Sequence, residues 1–200
     1  MINLTIEDKN YILAESWAEI TFDQYINIIN IAKEDKMSEF ERAIKIVAQL
    51  SNQPIECEEY ILKLEKSDFE EMASYFEWAS KPIEEVAAAK DILEIDGRTY
   101  KIKNEYNKLS IGEMISVETL IANEKSLDPF EIVFGVLLRE IVDGKEKEFN
   151  EDDFIYIVSK LKTKVMLLDV YNHISFFLSG VQKSITPTTK TFSIRKMVKN

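Results

Sequence analysis

The chain has 200 residues, of which 46% are hydrophobic and 30% charged, a composition typical of a globular protein and not of a disordered or collagen-like one. With 25 basic and 36 acidic residues the formal net charge is −11, which disfavours nucleic acid and anionic lipid as partners. No apolar run is long enough to span a membrane, and the first residues lack a secretory-signal pattern, so we expect neither feature. The single cysteine, Cys57, excludes an internal disulfide and suits a reducing compartment.

Two short hairpins are predicted, one at the start of the chain and one near its middle. Residues 4–6 and 11–13 form the first pair of alternating runs, and residues 93–95 and 100–102 form the second. The second pair is joined at Asp96-Gly97, a strong signal for a tight turn because glycine tolerates a positive φ. Each hairpin is followed by helical patterns.

Capping motifs and apolar stripes predict the helices. Thr21-x-x-Gln24 and Ser110-x-x-Glu113 have the capping-box form, in which side chains and backbone N–H groups satisfy each other at a helix start. Apolar residues then recur with helical spacing. The predicted helices cover 22–33, 39–50, 56–64, 68–80 and 83–90 in the first half, and 111–123, 129–142, 151–161 and 164–179 in the second.

The two halves of the chain are similar to each other. A shift of 89 residues places Leu4 on Leu93 and Tyr11 on Tyr100 (93 − 4 = 89 and 100 − 11 = 89). Chance similarity between two amphipathic stretches is the alternative explanation. We therefore predict a mainly α (α+β) fold with two similar helical modules, each preceded by a short β-hairpin. The modules cover residues 1–90 and 91–181, and the second is interpreted as a duplicate of the first.

The last segment, residues 182–200, differs from the rest in charge and pattern. It carries five basic residues and no acidic one, and its apolar and polar residues alternate. We predict that the preceding helix ends at Gly180 and that this segment is an extended basic arm. Phe192 and Ile194 would be its apolar anchors, and Arg195 and Lys196 would match an acidic protein surface, such as a second copy of the chain. The alternative is a disordered tail that aids solubility.

No motif in the sequence predicts catalysis, a cofactor or a metal site. The only histidine, His173, lies in an aromatic context and is interpreted as a packed residue. Cys57 is followed by Glu58 and Glu59, which would raise the pKa of its thiol. The five glycines are scattered, so no phosphate-binding loop is formed. We expect no enzymatic activity, no cofactor and no metal.

Trp17 and Tyr25 lie on either side of the first predicted helix start. Trp17 is interpreted as packing ahead of the helix cap. The alternative is that Trp17 and Tyr25 form a partner-binding hot spot.

The segment that contains these residues resembles a known group of proteins. Residues 16–25 contain the pattern W-x-E-I-T-x-x-Q-Y, and Ser38–Arg42 and Leu50–Gln53 follow it. Over residues 13–80 this resembles the small helical tail and neck assembly proteins of tailed bacteriophages, some of which are tail assembly chaperones. The resemblance implies a non-enzymatic assembly or virion protein that docks onto other phage structural proteins. The expected location is the host cytoplasm or the assembled virion, with self-association through the arm.

Two other functions remain as alternatives. The first is an acidic regulatory or inhibitor protein that binds a basic enzyme through its negative charge. The second, weaker alternative is a hydrolase that uses a pair of carboxylates, although no pair is singled out by the sequence.

Overall fold

The computed structural model describes residues 2–6, 9–80, 83, 90–103, 109–123 and 127–185. Within these ranges the chain is mainly helical with two small antiparallel sheets, which confirms the predicted mainly α (α+β) class. The chain divides into two compact units, and the described parts of these units span residues 2–83 and 90–185.

The first unit consists of a hairpin followed by four helices. Strand β1 pairs antiparallel with β2, and Leu13 at the end of β2 forms a bridge with Ser51. The second helix buries an apolar stripe that includes Ile44 and Val47. The bounds are β1 Ile2–Ile6, β2 Lys9–Leu13, α1 Phe22–Lys33, α2 Glu39–Gln49, α3 Pro54–Ile61 and α4 Lys66–Ser74, with 3₁₀ turns at Trp17–Glu19 and Glu77–Ser80.

The second unit is built on a four-stranded antiparallel sheet with the order β3-β4-β5-β6. Helix α6 leads directly into β5, and α7 continues as a π-helical turn over Ile157–Leu161. The bounds are β3 Ile92–Ile95, β4 Arg98–Ile102, α5 Ile111–Asn123, α6 Pro129–Leu137, β5 Leu138–Val142, β6 Lys145–Glu146, α7 Glu151–Tyr156 and α8 Leu167–Ile185.

Two Asp-Gly turns connect strands of this sheet. Asp96 and Gly97 have φ values of 53° and 73°, and they join β3 to β4 as predicted. Asp143 and Gly144 have φ values of 51° and 74°, and they join β5 to β6. Positive φ at both central positions matches the twist of the flanking strands, and Asp-Gly is a favoured pair for it.

The predicted helix over 129–142 is wrong in its second half. The helix ends at Leu137, and the next five residues form β5, in which Leu138 to Ile141 pair with β4. The apolar spacing of Phe134, Leu137, Leu138 and Ile141 fits a helix, but the backbone of β4 offers a ladder that the local pattern does not reveal. Gly144, which follows the predicted helix, belongs to the turn between β5 and β6.

Helix α6 lies at the centre of the second unit. All seven residues from Glu131 to Leu137 are buried. A Cβ atom at Gly135 would lie 2.6 Å from the ring of Phe154 and 2.7 Å from the side chain of Val158. Gly135 therefore permits α6 to approach α7 and the following turn closely.

The prediction that a helix ends at Gly180 is also wrong, because α8 continues to Ile185. A glycine inside a helix costs only about 1 kcal/mol relative to alanine, which a long helix tolerates. The first four residues of the predicted extended arm are thus helical. The rest of the arm, and most of the predicted helix 83–90, lie outside the described residues.

Candidate functional site

Trp17 and Tyr25, the predicted partner-binding pair, lie in one aromatic cluster of the first unit. The Trp17 ring meets the Tyr25 ring edge-on at 5.8 Å between centroids and the Trp78 ring edge-on at 5.2 Å. All three side chains are partly exposed. Trp17 precedes the α1 cap and packs against Tyr25 in the first turns of α1, in agreement with the packing interpretation. The role of this pair in binding a partner stays a prediction.

The remaining residues of the W-x-E-I-T-x-x-Q-Y pattern also have structural roles. Ile20 is fully buried. Thr21 and Gln24 form a capping box, in which the Thr21 N–H donates to Gln24 Oε1 at 2.8 Å and the Gln24 N–H donates to Thr21 Oγ1 at 3.2 Å. The Gln24 side-chain amide also donates to the carbonyl oxygens of Gln49 and Ser51, at 2.9 and 3.1 Å. One side chain thus joins the start of α1 to the end of α2.

The arm residues Phe192, Ile194, Arg195 and Lys196 lie outside the described residues. Their predicted role in binding an acidic neighbour stays a prediction.

Two helices of the described part carry exposed apolar side chains at helical spacing. On α5, Ile111 is 78% exposed and Ile115, one turn later, is 57% exposed; we name this pair the α5 face. On α3 and just beyond it, Ile55 is 74% exposed and Leu62, two turns later, is 65% exposed. Single exposed apolar residues are ordinary, but apolar neighbours on one helix face form a contact surface.

A partly buried ion-pair network, with Arg139 as its buried member, lies between α5 and the sheet of the second unit. Glu113 Oε1 lies 2.9 Å from the Arg139 guanidinium and 2.7 Å from the Lys103 ammonium. Arg139 is only 3% exposed, and its guanidinium stands 5.0 Å from the centre of the Phe149 ring. Sequence reasoning missed this network because Arg139 was assigned to a helix.

The network determines the ionisation of Glu113. Burial by itself would raise the pKa of this carboxyl, but hydrogen bonds from Lys103, Ser110 and Arg139 outweigh it and lower the pKa to about 2. Glu113 Oε2 accepts from the Ser110 N–H at 2.8 Å, so the predicted capping box of α5 is present as well. This arrangement holds charges in place and contains no group activated as a nucleophile or base.

A small cavity lies beside the sheet of the same unit. It measures about 60 Å³, and its walls include Arg98, Tyr100, Glu140, Lys147 and Phe154. Tyr100 is 2% exposed, and its hydroxyl forms no hydrogen bond with the described residues. Burial raises the pKa of this hydroxyl, Tyr156 and Glu140 add to the effect, and the neighbouring Arg98 guanidinium opposes it.

Cys57 and His173 are the single cysteine and the single histidine of the sequence. Cys57 is buried, and burial raises the pKa of its thiol, whereas the sequence attributed the same direction to the neighbouring glutamates. His173 is mostly buried, with Nε2 3.8 Å from an Asp91 carboxylate oxygen. Within the described ranges, no three metal-ligating side chains are grouped so as to hold an ion.

Comparisons of the chain with protein-family models, curated proteins and solved structures find no match. Among the described helices, none combines the length and apolar character needed to cross a membrane.

Proposed function

We propose that the chain is a non-enzymatic assembly or virion protein of the tail or neck region of a tailed bacteriophage. It acts by docking helical faces onto other phage structural proteins. The observation that supports this most directly is the α5 face, where Ile111 and Ile115 are exposed one turn apart. Aliphatic side chains that remain in water on one helix face gain free energy when a partner covers them.

The resemblance of residues 13–80 to phage assembly proteins supports the same proposal. The basic arm contributes a second contact in this scheme: Phe192 and Ile194 anchor it, and Arg195 and Lys196 pair with an acidic surface. That surface belongs to a neighbouring copy of the chain or to another phage protein. A chaperone would bind unassembled subunits and leave, whereas a virion component would stay at fixed copy number.

The experiment compares the wild type with the double variant Ile111→Ser/Ile115→Ser. Each of the two proteins is co-expressed with the structural proteins that are encoded beside the wild-type gene. Light scattering measures the mass of any complex, and mass spectrometry identifies its components. We expect the wild type to form a defined complex that the variant loses, while circular dichroism shows unchanged helix content.

The matched control is Glu118→Gln/Thr119→Ser, which alters two exposed residues of the same helix without removing apolar surface. This control should keep the complex. The docking proposal is wrong if the wild type binds none of these proteins. The choice of the α5 face is wrong if both variants bind as the wild type does.

A further inference from the structure

The cavity beside Tyr100 has room for more than one water molecule but not for a large ligand. Its volume is about 60 Å³. A single water needs about 15 Å³ on this scale, and pockets for drug-sized molecules start at about 300 Å³. The cavity therefore suits a compact group of a few atoms.

The polar groups around the cavity have spare donors. Each oxygen of Glu140 already faces a cation: Oε2 lies 2.5 Å from Lys147 Nζ and Oε1 lies 3.5 Å from the Arg98 guanidinium. Arg98 and Lys147 retain further N–H donors, because a guanidinium carries five and an ammonium three. The buried Tyr100 hydroxyl has no partner among the described residues. A buried polar group without a partner is destabilising, so an acceptor at this place would be favoured.

The charged residues around the cavity determine which kind of hydrogen-bond acceptor it favours. The Arg98 guanidinium is held 5.7 Å above the centre of the Tyr156 ring, beside the Lys147 ammonium. Glu140, Glu148 and Asp153 line the same cavity, as does Arg139, whose guanidinium is paired with Glu113. A doubly charged phosphate would be repelled by these three carboxylates more strongly than a singly charged group would be.

We infer that this cavity binds a single carboxylate group, which accepts hydrogen bonds from the Tyr100 hydroxyl and from the Arg98 and Lys147 side chains. The carboxylate can belong to an acidic side chain of a docked protein or to a free small acid, since both present the same chemistry. The inference does not rest on the proposed assembly role, because the pocket can be titrated in the isolated chain.

The test is a titration of the full ¹⁵N-labelled chain with sodium acetate at constant ionic strength. Amide signals of residues 98–100 and 147–149 should shift and saturate, with a dissociation constant on the order of 10 mM for so small a ligand. Tyr100→Phe, which removes only the hydroxyl, should weaken binding roughly tenfold. Arg98→Gln should weaken it too. Since Arg98 lies at the partly exposed rim, this variant keeps the test independent of any effect of Tyr100→Phe on folding.

The matched control is Lys101→Gln, which removes one positive charge from the same strand at a position that does not line the cavity. Acetate should bind this variant as it binds the wild type. The inference is overturned if no saturable shift occurs, or if Tyr100→Phe and Arg98→Gln bind acetate as tightly as Lys101→Gln. It is also overturned if inorganic phosphate or methylammonium binds the cavity more tightly than acetate.

A second titration, with the amide of N-acetyl-aspartate, distinguishes the sources of the carboxylate. Tighter binding than that of acetate would support an acidic side chain of a docked protein. Weaker binding, with acetate still saturating, would support a free small acid.

Discussion

At the scale of single residues, Glu113 explains how Arg139 can be buried. Arg139 is 3% exposed, and its charge is balanced by the carboxylate of Glu113 at 2.9 Å. Removing one partner of a buried ion pair leaves the other charge without compensation, which is far more costly than losing an exposed pair. The network therefore makes the stability of the second unit depend on the charge of Glu113.

We predict that Glu113→Gln destabilises the chain by roughly 3 kcal/mol at pH 7, measured by urea unfolding. The folded-state pKa of Glu113 is lowered to about 2, so its stabilising effect is complete above the ordinary value of 4.5. It is lost as the pH falls from 4.5 towards 2, because the unfolded state then binds the proton more readily. The difference between wild type and variant should shrink over that interval.

Glu118→Gln is the control for this prediction, since Glu118 is an exposed residue of the same helix. Its effect should stay within about 0.5 kcal/mol. A difference between wild type and Glu113→Gln that is constant between pH 5 and pH 2 would contradict the argument.

In the first unit, Gln24 has a role similar to that of Glu113, but it joins its two segments through hydrogen bonds of an uncharged amide. We predict that Gln24→Glu destabilises the chain by about 1–3 kcal/mol, because a carboxylate keeps the acceptor for Thr21 but cannot donate to the carbonyls of Gln49 and Ser51. Thermal unfolding at pH 7 measures the effect. Thr21→Ser, which keeps the capping hydroxyl, is the control and should cost much less. Equal losses in the two variants would show that the amide donors are unimportant.

At the scale of elements, the packing of α6 decides the shape of the second unit. Every residue from Glu131 to Leu137 is buried, and Gly135 lies against the Phe154 ring. A helix buried on all sides has no room for an added methyl group where another helix touches its backbone.

We predict that Gly135→Ala destabilises the chain by about 1–3 kcal/mol, because the new Cβ would overlap Phe154 and Val158. Gly112→Ala is the matched control. Gly112 lies on the exposed surface of α5, where the nearest atom to an added Cβ is 3.9 Å away. Higher helix propensity should leave this variant as stable as the wild type or up to about 1 kcal/mol more stable. Urea unfolding of both variants is the measurement, and a stable Gly135→Ala protein would refute the close packing.

At the scale of the whole molecule, the two units share a connectivity. Each begins with a hairpin, continues with two helices and returns to the second strand of the hairpin. The return is the Leu13–Ser51 bridge in the first unit and the Ile102–Leu138 pair in the second. Gln24 and Glu113 are 89 residues apart (113 − 24 = 89). Each joins the first helix of its unit to the segment after the second helix, Gln24 through Ser51 and Glu113 through Arg139. The origin of the two modules by duplication stays a prediction.

The proposed role of the arm in assembly leads to a prediction for the whole molecule. Removing residues 186–200, which follow α8, should abolish assembly with partner proteins and leave the thermal unfolding of the remaining chain unchanged. Light scattering and a thermal melt measure the two effects. Phe192→Ser/Ile194→Ser, which keeps every basic residue, separates the apolar contribution from the charge. A truncated chain that assembles as the full chain does would refute the role of the arm.

Local signals in the sequence were sufficient for the parts of the fold that depend on neighbouring residues. The bounds of α1 and α5 and the turn at Asp96-Gly97 were predicted correctly. Capping boxes and a turn that requires positive φ act over only a few residues, so they can be identified without knowing the rest of the chain.

Only the tertiary structure decided the features that depend on distant partners. Leu138–Val142 forms a strand instead of a helix because β4 supplies hydrogen bonds to it. Arg139 is buried with its charge balanced by Glu113, and Tyr100 lines a cavity whose other walls include residues of β5 and α7. The exposure of Ile111 and Ile115 also follows from which face of α5 the rest of the unit covers. Such contacts join residues far apart in the chain, so no local pattern of charge or hydrophobicity specifies them.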